Sequence, residues 1–149
     1  MIATMDLAST KNALDEMNGE LLKMRETARN LRNDKSELQP YFEHFATAYS
    51  DLYHCTDKVF DLFAKLETLE LGHPSVSLGT LSKTLLYEVH SGVAEARRIL
   101  DLVSNRYTTR SAAFQNRKAI SKNTESVRKI CAKALVPLGE LLGLSLSDS

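Results

Sequence analysis

Over the first forty residues, apolar and small side chains return at alternating steps of four and three. They are Ala3, Leu7, Thr10, Leu14, Met17, Leu21, Met24, Ala28, Leu31 and Leu38, with polar Lys35 filling the one gap. In heptad register Leu7, Leu14, Leu21, Ala28 and Lys35 take position a, and Ala3, Thr10, Met17, Met24, Leu31 and Leu38 take position d. A seam that repeats every 3.5 residues predicts a helix over 3–38, about 50 Å long, wound against a partner helix. The flanking charges bear on which partner. Asp6, Glu20 and Asp34 stand at g; Lys11, Arg25 and Arg32 stand at e. A parallel self-pair sets Asp6 against Lys11 and Glu20 against Arg25, whereas an antiparallel one sets like charges together. Two readings stay open. The stripe is either a seam with a second copy or a helical partner, or one helix of an intramolecular bundle. On the first reading the oligomer interface is Leu7, Leu14, Met17, Leu21, Met24 and Leu31.

Pro40 punctuates the chain, because the residue before a proline is pushed out of the helical region and a helix can restart just after it. The alternative is a kink in one long helix. Seven of the ten aromatic residues follow: Tyr41, Phe42, Phe45, Tyr49, Tyr53, Phe60 and Phe63. With Ala48, Leu52, Val59, Leu62, Leu66 and Leu69 they make an apolar face too wide for a two-stranded seam, which predicts a central core helix over 41–71. Its polar side carries Glu43, Asp51, Asp57, Asp61, Glu67 and Glu70 against Lys58 and Lys65. Gly72-His73-Pro74 predicts its end and a short loop, with the next helix running back antiparallel.

Leu78, Leu81, Leu85, Val89, Val93, Ala96, Leu100, Val103 and Tyr107 recur at three or four residues and predict a third helix over 78–105, weakened locally by Gly92. The pattern then thins with no glycine or proline. A polar loop near 105–111 and one continuous helix are both compatible with it. Apolar spacing returns at Val127, Ile130, Cys131, Ala134, Leu135 and Leu138, giving a fourth segment over 111–136 and a short tail over 137–149, in which Pro137 is placed to begin a final short helix and the chain frays from Ser145.

Charge changes the picture only here. Formal net charge over the 149 residues is zero, so the chain as a whole is not drawn to polyanions. Between 106 and 133, however, stand Arg106, Arg110, Arg117, Lys118, Lys122, Arg128, Lys129 and Lys133, with Glu125 the single acid. On a helix Lys118, Lys122, Lys129 and Lys133 share one stripe. Such a stripe serves as a solvated face, as a charge partner for an acidic helix, or as a site for anionic lipid or nucleic acid. Tyr107 and Phe114 are the only aromatics nearby to stack on bases, so nucleic acid is not the expected partner.

Little else carries chemistry. His44, His54, His73 and His90 follow no metal-ligand spacing, and no phosphate loop or nucleophile elbow occurs, so no catalytic, cofactor or metal site is expected. Cys55 and Cys131 sit on apolar stripes and read as small core residues. The start of the chain lacks a basic region followed by an apolar run, and no stretch reaches eighteen apolar residues. A cytoplasmic location is therefore expected. Two segments, Leu138–Leu146 and Phe63–Leu71, have the leucine spacing of an export signal, which recurs at many amphipathic helix ends.

The layout from about 3 to 133 is similar to part of a BAR-type membrane-bending domain: a long kinked helix, a short loop, then a second long helix rich in basic residues. The family's third long helix has no counterpart. The expected architecture is all-α, an elongated bundle of three or four helices in one domain. The expected role is a non-enzymatic interaction or scaffold module that self-associates or pairs with a helix. The alternative is a peripheral binder of anionic membrane acting through 106–133.

Overall fold

The computed structural model describes residues 2–69, 76–105 and 108–148, with side chains for 8–69, 82–105 and 108–143. It contains four helices: α1 (Ile2–Asp34), α2 (Gln39–Thr68), α3 (Val76–Ser104) and α4 (Arg110–Asp148), with a 3-10 turn at Ser36–Leu38 between the first two. The fold is all-α. The glycine-proline loop expected at 72–74 lies outside the described residues.

The chain reverses between α1 and α2 rather than kinking. Lys35, the polar residue in the heptad gap, leaves the helical region, and its carbonyl accepts from the Leu38 N–H at 2.9 Å. Pro40 then occupies the first turn of α2, where its missing N–H costs nothing. Contacts step in opposite directions along the two helices: Arg32 with Glu43, Asn18 with Asp57, Lys11 with Glu67. The pair is an antiparallel hairpin, so the single kinked helix of a BAR-like layout is absent.

A second turn separates α3 from α4 and answers the question left open at 105–111. Thr109 caps α4, its hydroxyl accepting from the Ala112 N–H at 3.2 Å. Lys35 reaches across from the other turn and donates to the carbonyls of Ser104 (3.3 Å) and Asn105 (2.7 Å). A cation thus sits on the exposed carbonyls at the end of α3, where the helix dipole favours it. Both turns therefore share one end of the bundle.

The hairpins pack side by side. Glu20 pairs with Arg97, and Ala13 and Met17 share a groove with His90 and Ala94, so α1 runs parallel to α3. His44 meets Ser121 and Asp51 faces Arg128, so α2 runs parallel to α4. Around the bundle the order is α1, α2, α4, α3. Across the middle, the buried Tyr49 hydroxyl on α2 donates to the Ala96 carbonyl on α3 at 3.2 Å, which satisfies a polar group that burial would otherwise penalise.

Core residues come from all four helices, with the aromatic face of α2 at the centre. Phe42, Phe45, Tyr49, Leu52, Val59, Phe63 and Leu66 are fully buried, and Phe42 meets Phe45 edge to face at 5.8 Å. Each such side chain contributes about 1.5–3 kcal/mol by leaving water. Gly92, which on propensity alone weakens α3, lies where α4 packs tightly against α3. A Cβ there would overlap Val127, and Asn123 donates to the Gly92 carbonyl at 3.1 Å. α4 runs past the expected end at 136 and through Pro137. An interior proline costs about 3 kcal/mol. Burial of Leu138 and packing of Leu141 and Leu142 against the core oppose that cost.

Candidate interaction surface on the fourth helix

Two stripes stand out along the chain, and the fold places one inside and the other outside. Leu14 and Leu21 are fully buried, and Met17 and Met24 nearly so; Leu31 is half-buried at the edge of the core. The side chain of Leu7 lies outside the described residues. Asn18 adds a buried polar link that the heptad pattern did not mark. Its Oδ1 accepts from the Thr56 hydroxyl and its Nδ2 donates to Asp57 at 3.5 Å, pinning the register of α1 on α2. Three of the six charges flanking the seam are also engaged within the chain: Lys11 with Glu67, Glu20 with Arg97, Arg32 with Glu43. As an interface between copies, Leu14, Met17, Leu21 and Met24 are reachable only by opening the bundle.

The basic stripe is outside. Ala113, Ile120, Thr124, Val127, Cys131, Ala134 and Leu138 hold α4 against its neighbours. The 3.6-residue period then turns Lys118, Lys122, Lys129 and Lys133 to the opposite, solvent side, and all four are exposed. They span about 22 Å of helix. Arg110, Arg117 and Arg128 are exposed along the same helix, and Arg106 lies outside the described residues. Phe114, 40% exposed, and Val136, 63% exposed, bracket the ridge, with the Lys118 ammonium 4.8 Å from the centre of the Phe114 ring.

Acids and bases are treated differently by the fold. Up to residue 70 the chain has thirteen acids and eight bases; from 71 onward it has eleven bases and six acids. The acids of α2 are neutralised locally. Glu43 pairs with Arg32, Asp61 with Lys65 and Glu67 with Lys11, while Asp57 takes the Asn18 amide. Among the described residues only Asp51 reaches the basic helix, at 3.8 Å from Arg128. Among the described residues Arg110, Lys122, Lys129 and Lys133 have no ion-pair partner. The α2 acids therefore do not cover the ridge.

Side chains that the sequence could not place together meet at one edge of α4. Ser121 Oγ lies 2.9 Å from His44 Nε2, and burial, reinforced by Arg117, holds the His44 pKa below its ordinary value. Thr124 and Arg128 follow Ser121 on the same edge. No periodicity marks the pairs His44–Ser121 and Asp51–Arg128, because each spans two helices.

Among the described residues no group of three or more His, Cys, Asp and Glu is placed to hold a metal ion, and no helix is long and apolar enough to cross a membrane. Cys55 and Cys131 are free thiols, the first half-buried and the second buried. No family model, curated protein or solved structure matches the chain.

Proposed function

We propose that the protein is a non-enzymatic interaction module whose working face is the exposed ridge of α4, and that this face docks on anionic lipid headgroups. The carrying observation is a row of lysines on the solvent side of one helix, interrupted by Glu125 alone, in which Lys122, Lys129 and Lys133 have no ion-pair partner among the described residues. A cation close to an acidic leaflet gains on the order of 1 kcal/mol. Four lysines in line are therefore enough for reversible attachment. Lysine suits this role because a flexible point charge does not demand the fixed bidentate geometry that arginine exploits. Phe114 and Val136 extend the same face with apolar surface able to enter the headgroup region. The main apolar faces of the helices are spent in the core, so attachment is shallow and chiefly electrostatic.

Burial of Leu14, Leu21 and their neighbours supports this reading over pairing with a second helix through α1. Flotation with vesicles tests it. Binding is expected to vesicles rich in phosphatidylserine and not to phosphatidylcholine alone, and to fall steeply as salt shortens the Debye length from ~10 Å at 0.1 M to ~3 Å at 1 M. Salt-independent binding, no binding at low salt, or a preference for duplex nucleic acid over vesicles contradicts it.

A further inference from the structure

A cleft of about 200 Å³ opens between α2 and α4, beside the lysine ridge rather than on it. α2 lines it with His44, Thr47 and Asp51; α4 lines it with Ser121, Thr124, Glu125 and Arg128. Three features mark it as built to receive a polar solute. Thr124 is only 7% exposed, yet its hydroxyl has no hydrogen-bond partner. A buried hydroxyl left so costs about 1–3 kcal/mol, and such groups call for a bound partner. Arg128 stands 3.8 Å from Asp51, beyond hydrogen-bond length, so its guanidinium fork remains available. Ser121 is held in place by His44 at 2.9 Å and offers a second hydroxyl beside that of Thr124.

The charges narrow the class of ligand. A simple dianion would meet Asp51 and Glu125, and a simple amine would meet Arg128 and the nearby Arg117. A molecule bearing both charges satisfies both sides. The cleft is smaller than the ~300–1,000 Å³ typical of drug-sized sites, which limits the ligand to headgroup size. Two hydroxyls and a guanidinium offer more donors than a carboxylate uses well, and suit a tetrahedral phosphate. The lowered pKa of His44 keeps its ring neutral near pH 7, so it orients Ser121 without adding charge.

We propose that the α2–α4 cleft binds an aminoalkyl phosphate, with the phosphate on Arg128, Ser121 and Thr124 and the ammonium on Asp51 and Glu125. The site stands on its own residues, so it and the lysine ridge succeed or fail separately.

The test is an amide-shift titration of the ¹⁵N-labelled full chain with phosphoethanolamine, inorganic phosphate and ethanolamine in turn. Phosphoethanolamine is expected to give saturable shifts centred on residues 44–51 and 121–128. Each half-ligand is expected to bind at least about tenfold more weakly, a difference of ~1.4 kcal/mol. Arg128→Gln, and the near-isosteric Thr124→Val that preserves packing, are each expected to weaken binding about tenfold or more. Lys129→Glu with Lys133→Glu leaves it unchanged. Vesicles containing phosphatidylethanolamine identify the source: the same shifts support a lipid headgroup, and shifts with the free compound alone support a soluble one. The proposal is overturned by shifts that do not saturate, by shifts that map elsewhere, by inorganic phosphate binding equally well, or by Thr124→Val and Arg128→Gln both binding normally.

Discussion

Leu14 and Leu21 of α1 are fully buried, whereas Lys122 and Lys129 of α4 stand in solvent without an ion-pair partner among the described residues. Both helices carry a periodic stripe of one chemical kind, and in each case the period says which residues share a face. It does not say what covers that face. For α1 the cover is α2 and α3 of the same chain, and Lys11, Glu20 and Arg32 beside the seam pair there too. A heptad pattern with complementary flanks is thus as good a fit to an intramolecular neighbour as to a second copy. For α4 the acids that would have covered the stripe are already held by Lys11, Arg32 and Lys65.

The contrast is most severely broken by Leu14→Asp with Leu21→Asp. Two unpaired carboxylates in the core exceed the few kcal/mol that single changes usually cost, and rival the total stability of about 5–15 kcal/mol of a domain this size. Loss of helical circular dichroism and of a cooperative urea transition is expected. A folded monomer would mean the stripe is not a core element.

The two glycines sharpen the comparison at a smaller scale. At Gly92 an added methyl strikes Val127, so Gly92→Ala is expected to cost about 1–3 kcal/mol through overpacking, even after the gain in helix propensity. Gly19 faces open space, and Gly19→Ala is expected to stabilise by about 0.5–1 kcal/mol. Urea midpoints of the two variants should therefore move in opposite directions.

Chemical reactivity follows burial in the same way. Desolvation, with a smaller contribution from Cys55, pushes the Cys131 thiol up to about 12, leaving little thiolate at neutral pH. Iodoacetamide on the native protein, read by mass spectrometry, is expected to modify Cys55 well before Cys131. Equal rates would contradict the burial of Cys131.

A smaller effect concerns acid. His44 has a lowered pKa in the fold, so between that value and the ordinary 6.5 the unfolded chain binds more protons. Stability is full above about pH 6.5 and declines as pH falls below it. His44→Gln is expected to flatten this part of the urea-midpoint profile; an unchanged slope would place the dependence elsewhere.

Much of the fold was legible. The aromatic face over 41–71 marked the core helix and the 3.6-residue pattern marked α3, while Pro40 left a new helix and a kink both open. The turn at 105–109 was not resolved, because it is made by a threonine cap and by a lysine from 70 residues away rather than by glycine or proline. The passage of α4 through Pro137 was missed because local propensity yields to the burial of Leu138. The lysine stripe was visible as a charge pattern. The cleft formed by His44, Asp51, Ser121, Thr124 and Arg128 was not, since it exists only where two parallel helices touch.

The central claim is that α4 presents a free basic ridge for anionic lipid while α1 is spent inside the bundle. The most direct measurement is flotation with acidic vesicles of the wild type and of Lys118→Glu/Lys122→Glu/Lys129→Glu/Lys133→Glu, alongside their urea transitions. Exposed surface charges contribute little to stability, so the variant is expected to keep its transition within about 0.5 kcal/mol of wild type. It is also expected to stay in the pellet while the wild type floats. A folded variant that floats with the vesicles as the wild type does would contradict the account.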